Sequence, residues 1–382
     1  MEAKLNGADW LDSVKIPSDI RSSDYEYSGD REALEAFKAV PGADWLCSKF
    51  LEFALEMNIA EMLGGAVRVS GKQFPDFDRL RLKCAKVLSM PPPPVFVFEG
   101  EGINAFTVGP DPERSSIFVT RAAADIAKDR ELSFILGHEM GHIKSQHSLY
   151  ITVASFLAGT GIWALRKMEV PGAAYIRVFL GLPAQLALNA WARRAEITCD
   201  RAGLVCCQDL DVARKALLLL ACGSRKLVER IDLGEFHRQN ADLLKSYGRW
   251  GEVFKTHPNL PKRVRCLELF SESRFFRNVL MEETSFPARS PHDLDAAVCK
   301  ILGDTEPAAA KLREMREAGK ALALSIAEAG KPLLKSGRVG LGRGLEALSK
   351  GLLAVSKRLE AAPPRKEAAR PVKRKLRSRR MS

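Results

Sequence analysis

The feature that most constrains this chain is a histidine-rich stretch at residues 131–147, ELSFILGHEMGHIKSQH. It holds three of the six histidines in the 382-residue chain, and residues 138–142 form the pattern H-E-x-x-H. Apolar residues precede the motif, so the pattern predicts a largely buried helix through 129–147. Helical residues four positions apart point only about 40° apart, so His138 and His142 face the same way, one turn apart.

Two imidazoles placed in this way can share one zinc ion, with Glu139 beside them where an activated water would sit. The competing interpretation is a chance cluster of histidines on a solvated helix. Random sequence with six histidines produces H-E-x-x-H in roughly one chain of this length in a hundred. A buried helix also argues against chance, because buried histidines need polar partners. The motif therefore predicts a zinc site with one ion per chain.

A catalytic zinc site needs a third protein ligand and an open coordination position. The longer pattern H-E-x-x-H-x-x-G-x-x-H would supply a third histidine. Ser145 and Ser148 occupy the positions where that pattern needs its glycine and its histidine, so it fails. His147 comes one residue too early. On a continuous helix it would face about 140° away from His142, so we expect it at the surface or at the edge of the core.

A glutamate from a separate helix is the other source of a third ligand. Residues 193–204, RRAEITCDRAGL, place Glu196 and Asp200 at positions i and i+4 of a predicted helix. Glu196 would bind the metal, and Asp200 would accept the N–H of a liganding histidine and so fix its tautomer. Alone, this spacing is common on solvated helices, where the two carboxylates would pair with Arg193 or Arg201. Downstream of H-E-x-x-H it becomes a strong signal.

Four motifs in order resemble those of the gluzincin peptidases of the HtpX and CAAX prenyl protease type. They are GINAFTVG (102–109), HEMGHIKSQH (138–147), EITCDRAG (196–203) and THPNLPKRVRCLE (256–268). The resemblance covers about residues 45–270, and the ordered set is more specific than any one motif. It implies a mainly α (α+β) fold, with a gluzincin metallopeptidase domain, a small β-sheet beside the zinc helix and a helical C-terminal extension.

The resemblance also implies roles for single residues. It makes His138, His142 and Glu196 the zinc ligands and Glu139 the catalytic base, with Asp200 behind a liganding histidine.

Two further parts of the site follow from the same resemblance. His257 would reach from a loop to the carbonyl oxygen of the substrate; the alternative is a histidine that merely precedes a helix. The strand made of Asn104, Ala105 and Phe106 would pair with an extended peptide; the alternative is an ordinary sheet edge. Three more polar residues could line the site, and the sequence selects none of them: Asn240, Arg263 and Arg265.

The chain divides into four predicted segments: a flexible N-terminal segment at 1–30, a metallopeptidase domain at 31–275, a helical C-terminal extension at 276–362 and a basic disordered tail at 363–382. Three short strands are predicted in the domain, from VFVFEG (95–100), INAFTV (103–108) and SSIFVT (115–120). A polar, turn-rich region is predicted near 232–262, followed by a helix at 262–273. The eight cysteines form no C-x-x-C pair and no signal peptide is apparent, so we expect reduced thiols in the cytoplasm.

Residues 149–192 are strongly apolar and predict a helical hairpin inserted between the zinc helix and Glu196. Its first arm, 149–165, is uncharged for 17 residues. That makes about 25 Å of helix, the short limit for a membrane span. The return arm, 175–192, contains Arg177 and Asn189, which an isolated span would tolerate poorly. We therefore expect a hairpin that packs on the protein or dips into one leaflet, rather than two true spans.

The formal charge of +12 is concentrated at the C-terminus. Residues 365–380 carry nine Lys or Arg and one Glu, which leaves the rest of the chain near neutral. The tail lacks aromatic residues for base stacking, so no specific nucleic acid is expected as a partner. The preceding segment, 345–362, forms an apolar stripe with lysines and arginine elsewhere, so 345–382 could contact an anionic membrane, as could 149–192. The alternative for 345–362 is packing against the catalytic domain.

These observations favour a zinc-dependent endopeptidase that acts on protein or peptide substrates, in the cytoplasm or attached to the cytoplasmic face of a membrane. In this interpretation, zinc acidifies a water molecule and Glu139 takes its proton. A second hypothesis is a zinc-bound but inactive adaptor at a membrane surface. The intact Glu139 argues against the adaptor, which needs no general base. A third hypothesis, a nucleic-acid binder dominated by the tail, predicts only salt-sensitive, non-specific attraction.

Overall fold

A computed structural model describes residues 8–38, 47–48, 64–154, 182–245, 255–284 and 287–303, and the structural statements below concern these residues. The strands are β1 (Ala66–Arg68), β2 (Val95–Phe98), β3 (Ala105–Val108) and β4 (Ser116–Thr120). The helices are α1 (Ala8–Ser13), α2 (Ser28–Lys38), α3 (Pro75–Val87), α4 (Arg121–Ile126), α5 (Asp129–Lys144), α6 (Leu182–Cys207), α7 (Leu210–Cys222), α8 (Arg225–Val228), α9 (Leu233–Lys245), α10 (Leu260–Ser271) and α11 (Pro291–Leu302). A π-helical turn spans Phe275–Leu280. The predicted mainly α (α+β) fold is confirmed.

The four strands form one small mixed sheet in the order β1-β2-β4-β3. β2 runs parallel to β4, and the other two pairs are antiparallel. Aromatic and β-branched residues dominate the sheet, as its pleated surface favours, and the rings of Phe106 and Phe118 stack with centroids 5.6 Å apart. β3 is an edge strand, because β4 is its one partner among the described strands.

The helix predicted from the histidine motif is α5. At its start, the carboxylate of Glu131 accepts the backbone N–H of Lys128 at 2.8 Å and pairs with Arg225, and an acidic first turn suits the positive end of the helix dipole. Every residue from Glu131 to Ile143 is buried. Such complete burial means that the motif sits inside the core and does not lie on a solvated face.

α5 and α6 pack closely because α5 carries glycine at the contact. A Cβ added at Gly141 would lie 2.9 Å from the Cβ of Ala202, and one added at Gly137 would lie 2.7 Å from the Cβ of Cys206. Real Cβ atoms essentially never approach so closely. The two glycines therefore let the histidine helix approach the helix that carries Glu196.

The N-terminal segment differs from the flexible segment that the sequence predicts for residues 1–30. Within its described part, Ile20 and Tyr25 are each 1% exposed and Asp30 is fully buried. Arg201 donates from Nη1 to the carbonyl oxygens of Tyr25 and Glu26, both at 3.1 Å. Polar composition predicts a loose segment, but Ile20 and Tyr25 pack against the domain and Arg201 binds two of its carbonyl oxygens.

Two boundaries also differ from the sequence predictions. The turn-rich region expected near 232–262 contains a helix, α9, because its apolar residues recur at helical spacing between polar ones. The motif helix ends at Lys144 and does not continue to His147: Ser145 closes it, and Gln146 has a left-handed backbone with φ of 60°.

The predicted hairpin at 149–192 is described only at its two ends, and its tip lies outside the described residues. Residues 148–154 are helical and pack against the end of the return arm: the rings of Tyr150 and Trp191 meet with centroids 6.0 Å apart, in a buried cluster that includes Val153 and Leu188. Among the described helices, none is both long and apolar enough to span a membrane. The C-terminal extension is described as far as residue 303, and the tail lies outside the described part.

Candidate metal and active site

Three side chains predicted as metal ligands converge between α5 and α6. His138 Nε2 lies 3.6 Å from Glu196 Oε2, and His142 Nε2 lies 3.5 Å from Glu196 Oε1. All three residues are buried, and one ligand atom from each falls within 4.8 Å of the others. These residues could therefore hold one metal ion between them.

The donor set suits a zinc ion. Two imidazole nitrogens and one carboxylate oxygen are the ligands of many catalytic zinc sites, and three protein ligands leave a position open. Glu196 Oε2 is buried and accepts no hydrogen bond within the described part of the chain, although Arg263 Nη1 lies 3.1 Å away. A buried carboxylate oxygen without a hydrogen bond is costly in a protein interior, and a bound cation would compensate for it.

The charges around the cluster favour ionised carboxylates. Burial raises the pKa of Glu196, but the opposing charges of His257, Arg263 and His138 hold it well below its usual value. Burial lowers the pKa of His138, and the carboxylates of Glu196 and Asp200 more than reverse that effect. For His142 burial prevails, and its pKa is lowered. A neutral imidazole and a charged carboxylate are the forms that bind metals.

Behind the cluster, Asp200 binds the outer nitrogen of His138. The distance from His138 Nδ1 to Asp200 Oδ1 is 3.0 Å. Asp200 is in turn held by Arg263, which donates from Nε to Oδ2 at 2.8 Å and from Nη2 to Oδ1 at 2.6 Å. The alternative in which Glu196 and Asp200 form surface pairs with Arg193 or Arg201 does not occur: both carboxylates are buried, Arg201 pairs with Asp295, and Arg193 donates to a backbone carbonyl.

Arg263 is thus the one basic residue of α10 that reaches the cluster. Arg265, two positions further along α10, is half exposed and pairs with Glu268 at 2.9 Å. The side chain of Asn240 lies outside the described part. Sequence reasoning could not choose between Arg263 and Arg265, but helical geometry separates them by about 200°, so only one can face α6.

Glu139 lies beside the cluster and faces the sheet. Its Oε2 accepts a hydrogen bond from the hydroxyl of Thr107 at 2.7 Å, and the carbonyl oxygen of Glu139 lies 3.1 Å from the same hydroxyl. Thr107 is buried on β3, next to the predicted substrate strand. Sequence reasoning missed Thr107, although it directly follows Phe106 in the quoted GINAFTVG motif.

The loop histidine and the substrate strand both lie near the cluster. His257 Nε2 is 3.4 Å from Glu196 Oε1, its Nδ1 is 2.9 Å from the hydroxyl of Thr256, and its side chain is 58% exposed. The predicted strand lies at the sheet edge: Asn104 immediately precedes β3, while Ala105 and Phe106 pair with β4. An exposed imidazole beside the buried group of His138, His142 and Glu196 is accessible to a ligand from solvent.

His147 corrects the sequence expectation of a surface or core-edge residue. It is 1% exposed, and its Nδ1 lies 3.3 Å from Nδ1 of His142. The expectation assumed a continuous helix through 147. Instead the left-handed turn at Gln146 redirects the chain, and the backbone N–H of His147 donates to the carbonyl of His142 at 2.8 Å. The ring is thereby brought to the inner side of the helix end.

The fold, a mainly helical domain with a small mixed sheet beside an H-E-x-x-H helix, is that of a gluzincin metallopeptidase. The sequence profile described as peptidase family M48 matches residues 71–270, more than half of the chain, and the chain belongs to that family. The protein is therefore a metalloprotease.

Named relatives agree with this assignment. The chain is 26% identical over 271 residues to plastoglobule-localized metallopeptidase 48, chloroplastic, of Arabidopsis thaliana. The alignment covers 69% of this chain and 76% of that protein. It is 25% identical over 239 residues to the protease HtpX homolog of Aquifex aeolicus, which covers 57% of this chain and 79% of that protein. No solved structure matches the chain significantly.

Proposed function

We propose that this metalloprotease is a zinc-dependent endopeptidase with one zinc ion per chain, bound by His138, His142 and Glu196. The observation that carries the proposal is the convergence of these three ligand atoms within 4.8 Å in a buried site. Glu139, next to His138 on the same helix, supplies the general base. Two imidazoles, one carboxylate ligand and an adjacent glutamate are the groups that peptide hydrolysis by metal-activated water needs.

Zinc, when bound, would lower the pKa of a coordinated water towards neutrality and polarise the carbonyl of the scissile peptide. Glu139 takes a proton from the attacking water and passes it to the departing amine. The Thr107 hydroxyl, 2.7 Å from Glu139 Oε2, holds that carboxylate against β3. His257 donates a hydrogen bond to the carbonyl oxygen as negative charge develops there. Its exposure supports this role, because a substrate must reach it.

The substrate is a protein or peptide in extended form, and Asn104, Ala105 and Phe106 bind it as an added strand. Two features support this assignment. β3 is at the edge of the sheet, where unpaired backbone groups can bind a further strand. Thr107 of the same strand touches Glu139, so a peptide on this edge passes close to the base.

The test is casein cleavage by purified protein, with and without a chelator, together with metal analysis. Wild-type protein should contain about one zinc per chain and lose cleavage with the chelator. Glu139→Gln should keep its zinc and lose hydrolysis, because it removes the base and leaves the ligands intact. Glu101→Gln, on an exposed carboxylate, is the matched control. Cleavage by Glu139→Gln at the wild-type rate contradicts the mechanism, and a zinc-loaded wild type without activity favours the inactive adaptor.

The ligand assignment has its own test. Glu196→Ala should lose zinc, whereas Glu169→Ala should not. Glu169 is the other acidic residue between the zinc helix and Glu196 in sequence, but it is close to Pro171 in a predicted turn; it lies outside the described residues. Equal zinc content in Glu196→Ala and wild type contradicts the assignment. Wild-type zinc content in Glu169→Ala shows that the loss is specific to the cluster.

We further propose action in the cytoplasm or at the cytoplasmic face of a membrane, with contact through 149–192 or 345–382. Packing of 148–154 against α6 supports a hairpin that packs on the protein. Fractionation of expressed protein decides between the contacts. Release by salt indicates the basic segment 345–382, whereas recovery only with detergent after an alkaline wash indicates an inserted 149–192 and contradicts the packed hairpin.

A further inference from the structure

A buried hydrogen-bonded chain leads away from the second histidine of the motif and ends in the N-terminal segment. His142 Nδ1 lies 3.3 Å from His147 Nδ1, and His147 Nε2 lies 3.1 Å from Asp30 Oδ2. Asp30 also accepts hydrogen bonds from Trp191 Nε1 at 2.9 Å and from the Thr198 hydroxyl at 2.6 Å. Asp30 is fully buried, and it precedes the 71–270 range that matches the family.

When His147 is neutral, the donors and acceptors in this chain allow one proton arrangement. An ionised carboxylate only accepts, so His147 must carry its proton on Nε2 to bind Asp30. A neutral His147 then has a lone pair on Nδ1. His142 must therefore donate from its own Nδ1, which leaves its Nε2 unprotonated. That nitrogen is the one 3.5 Å from Glu196 Oε1, where a metal ligand is needed.

The arrangement parallels the support of the first histidine of the motif. His138 Nδ1 donates directly to Asp200 at 3.0 Å, which directs its Nε2 towards Glu196. Among the described residues, no carboxylate lies at that distance from His142 Nδ1, whose partner is His147. A second imidazole, His147, bridges the gap to Asp30 instead. Each motif histidine thus has its outer nitrogen linked to a buried carboxylate, one directly and one through His147.

We propose that His147 and Asp30 are positioning residues of the metal site, which fix the tautomer and ring orientation of His142 and make the N-terminal segment part of the metal centre. This inference rests on the proposed zinc function. Partners of this kind orient a ligand and raise its basicity, and losing one typically weakens metal binding about 10–100-fold. Trp191 and Thr198 also donate to the Asp30 carboxylate and hold it in the position where it binds His147.

A rival interpretation uses the same neighbourhood. His142, His147 and Cys199 also group closely enough to hold a metal ion of their own, with Cys199 Sγ 3.7 Å from His147 Nδ1. That site would take His142 Nδ1 as a ligand and so abolish the hydrogen bond proposed here. The two interpretations predict different metal contents and different spectra, so the experiment separates them.

The experiment compares Asp30→Asn with Asp295→Asn in the full chain. Asp295 is the matched control, because its carboxylate holds the same segment through the Ser28 N–H at 3.0 Å and Arg201 at 3.2 Å but does not reach a histidine. Zinc affinity is measured by chelator competition, and cobalt replaces zinc for absorption spectra of the coordination geometry. We expect about 10–100-fold weaker zinc binding and an altered cobalt spectrum for Asp30→Asn, with neither change for Asp295→Asn.

Two substitutions of His147 test the hydrogen bond itself, and they still test the proposal if Asp30→Asn does not fold. Asparagine can offer an oxygen near the place of His147 Nδ1, whereas leucine offers none. His147→Asn should therefore bind zinc more tightly than His147→Leu, and a purely structural role predicts no such order.

Three results overturn the inference: wild-type affinity and spectrum in Asp30→Asn, an equal loss in Asp295→Asn, or two metal ions per chain with a thiolate–cobalt band that Cys199→Ala removes. A wild-type protein that binds no zinc, or a Glu196→Ala variant that still binds it, overturns the proposed function instead. Zinc binding lost in Glu196→Ala but unchanged in Asp30→Asn overturns the inference alone.

Discussion

Replacing Gly141 with alanine tests whether the close approach of α5 and α6 sets the metal site. The new Cβ would lie 2.9 Å from the Cβ of Ala202 and 3.2 Å from the Cα of Cys199. Ordinary contact begins at 3.4 Å, so the first contact is about 0.5 Å too short. Neither neighbouring atom can rotate away, because one is a Cβ and the other is backbone. The helices must therefore separate by roughly half an ångström.

The substitution should lower both the free energy of unfolding and the affinity for zinc, the latter by more. Overpacking costs about 1–3 kcal/mol, and the better helix propensity of alanine returns up to about 1 kcal/mol. We expect a net loss near 1 kcal/mol, which lowers Tm by about 2–4 °C for a domain of this size. Zinc binding should suffer more. Metal–ligand distances tolerate only about 0.2 Å, and the shift separates His142 from Glu196, so we expect roughly tenfold weaker binding or more.

The assay is thermal denaturation with and without zinc, combined with chelator competition. Gly64→Ala is the control, because Gly64 is exposed and no atom lies within 4 Å of its added Cβ. A Gly141→Ala protein that melts and binds zinc like the wild type would refute the reasoning. An equal defect in Gly64→Ala would show that the effect is not specific to the contact between α5 and α6.

Three further predictions concern single side chains. Asp200→Asn should weaken zinc binding about 10–100-fold without abolishing it, and an unchanged dissociation constant would contradict the role of Asp200 behind His138. Thr107→Val should lower kcat and leave zinc content unchanged, because the Glu139 carboxylate loses its donor; Thr107→Ser, which keeps the hydroxyl, should restore the rate, and equal rates for the two variants would exclude the hydrogen bond. For Asp30, burial raises the pKa but His147, Thr198 and Trp191 hold it below its usual value. This depressed pKa contributes stability above about pH 4 that is lost as the pH falls through the folded-state pKa. Urea denaturation should therefore show the wild type more stable than Asp30→Asn near neutral pH, with a difference that narrows below about pH 4, and a constant difference would contradict the linkage.

The helices and strands around the motif were predictable from local sequence. The H-E-x-x-H spacing predicts which nitrogens share a face, and the spacing of Glu196 and Asp200 predicts a second helix with two inward carboxylates. The structure brings all of these together, and their roles as ligands stay predictions. Local periodicity suffices here because each pair lies on one helix, where 3.6 residues per turn fixes the direction of the side chains.

The remaining contacts depend on backbone geometry or on distant packing. His147 could not be placed, because a single left-handed residue at Gln146 changes the direction that helical spacing assigns. Asp30 is separated from Thr198 by 168 residues, and nothing in a single sequence reports that pairing. Arg263 and Arg265 are the same residue type in the same motif, and they differ only in the face of α10 on which they lie.

The buried N-terminal segment has a consequence for the order in which the protein folds. Ser28 bonds to Asp295, 267 residues away, and Tyr27 bonds to Thr198, 171 residues away. Contacts between residues so distant in sequence form slowly, because closing the long loop between them costs conformational entropy. During synthesis this segment leaves the ribosome well before Thr198 and Asp295. Its bonds to these two residues can form only after residue 295 has been made, so a nascent chain carries the histidine motif before the segment that holds Asp30 is fully fixed in place.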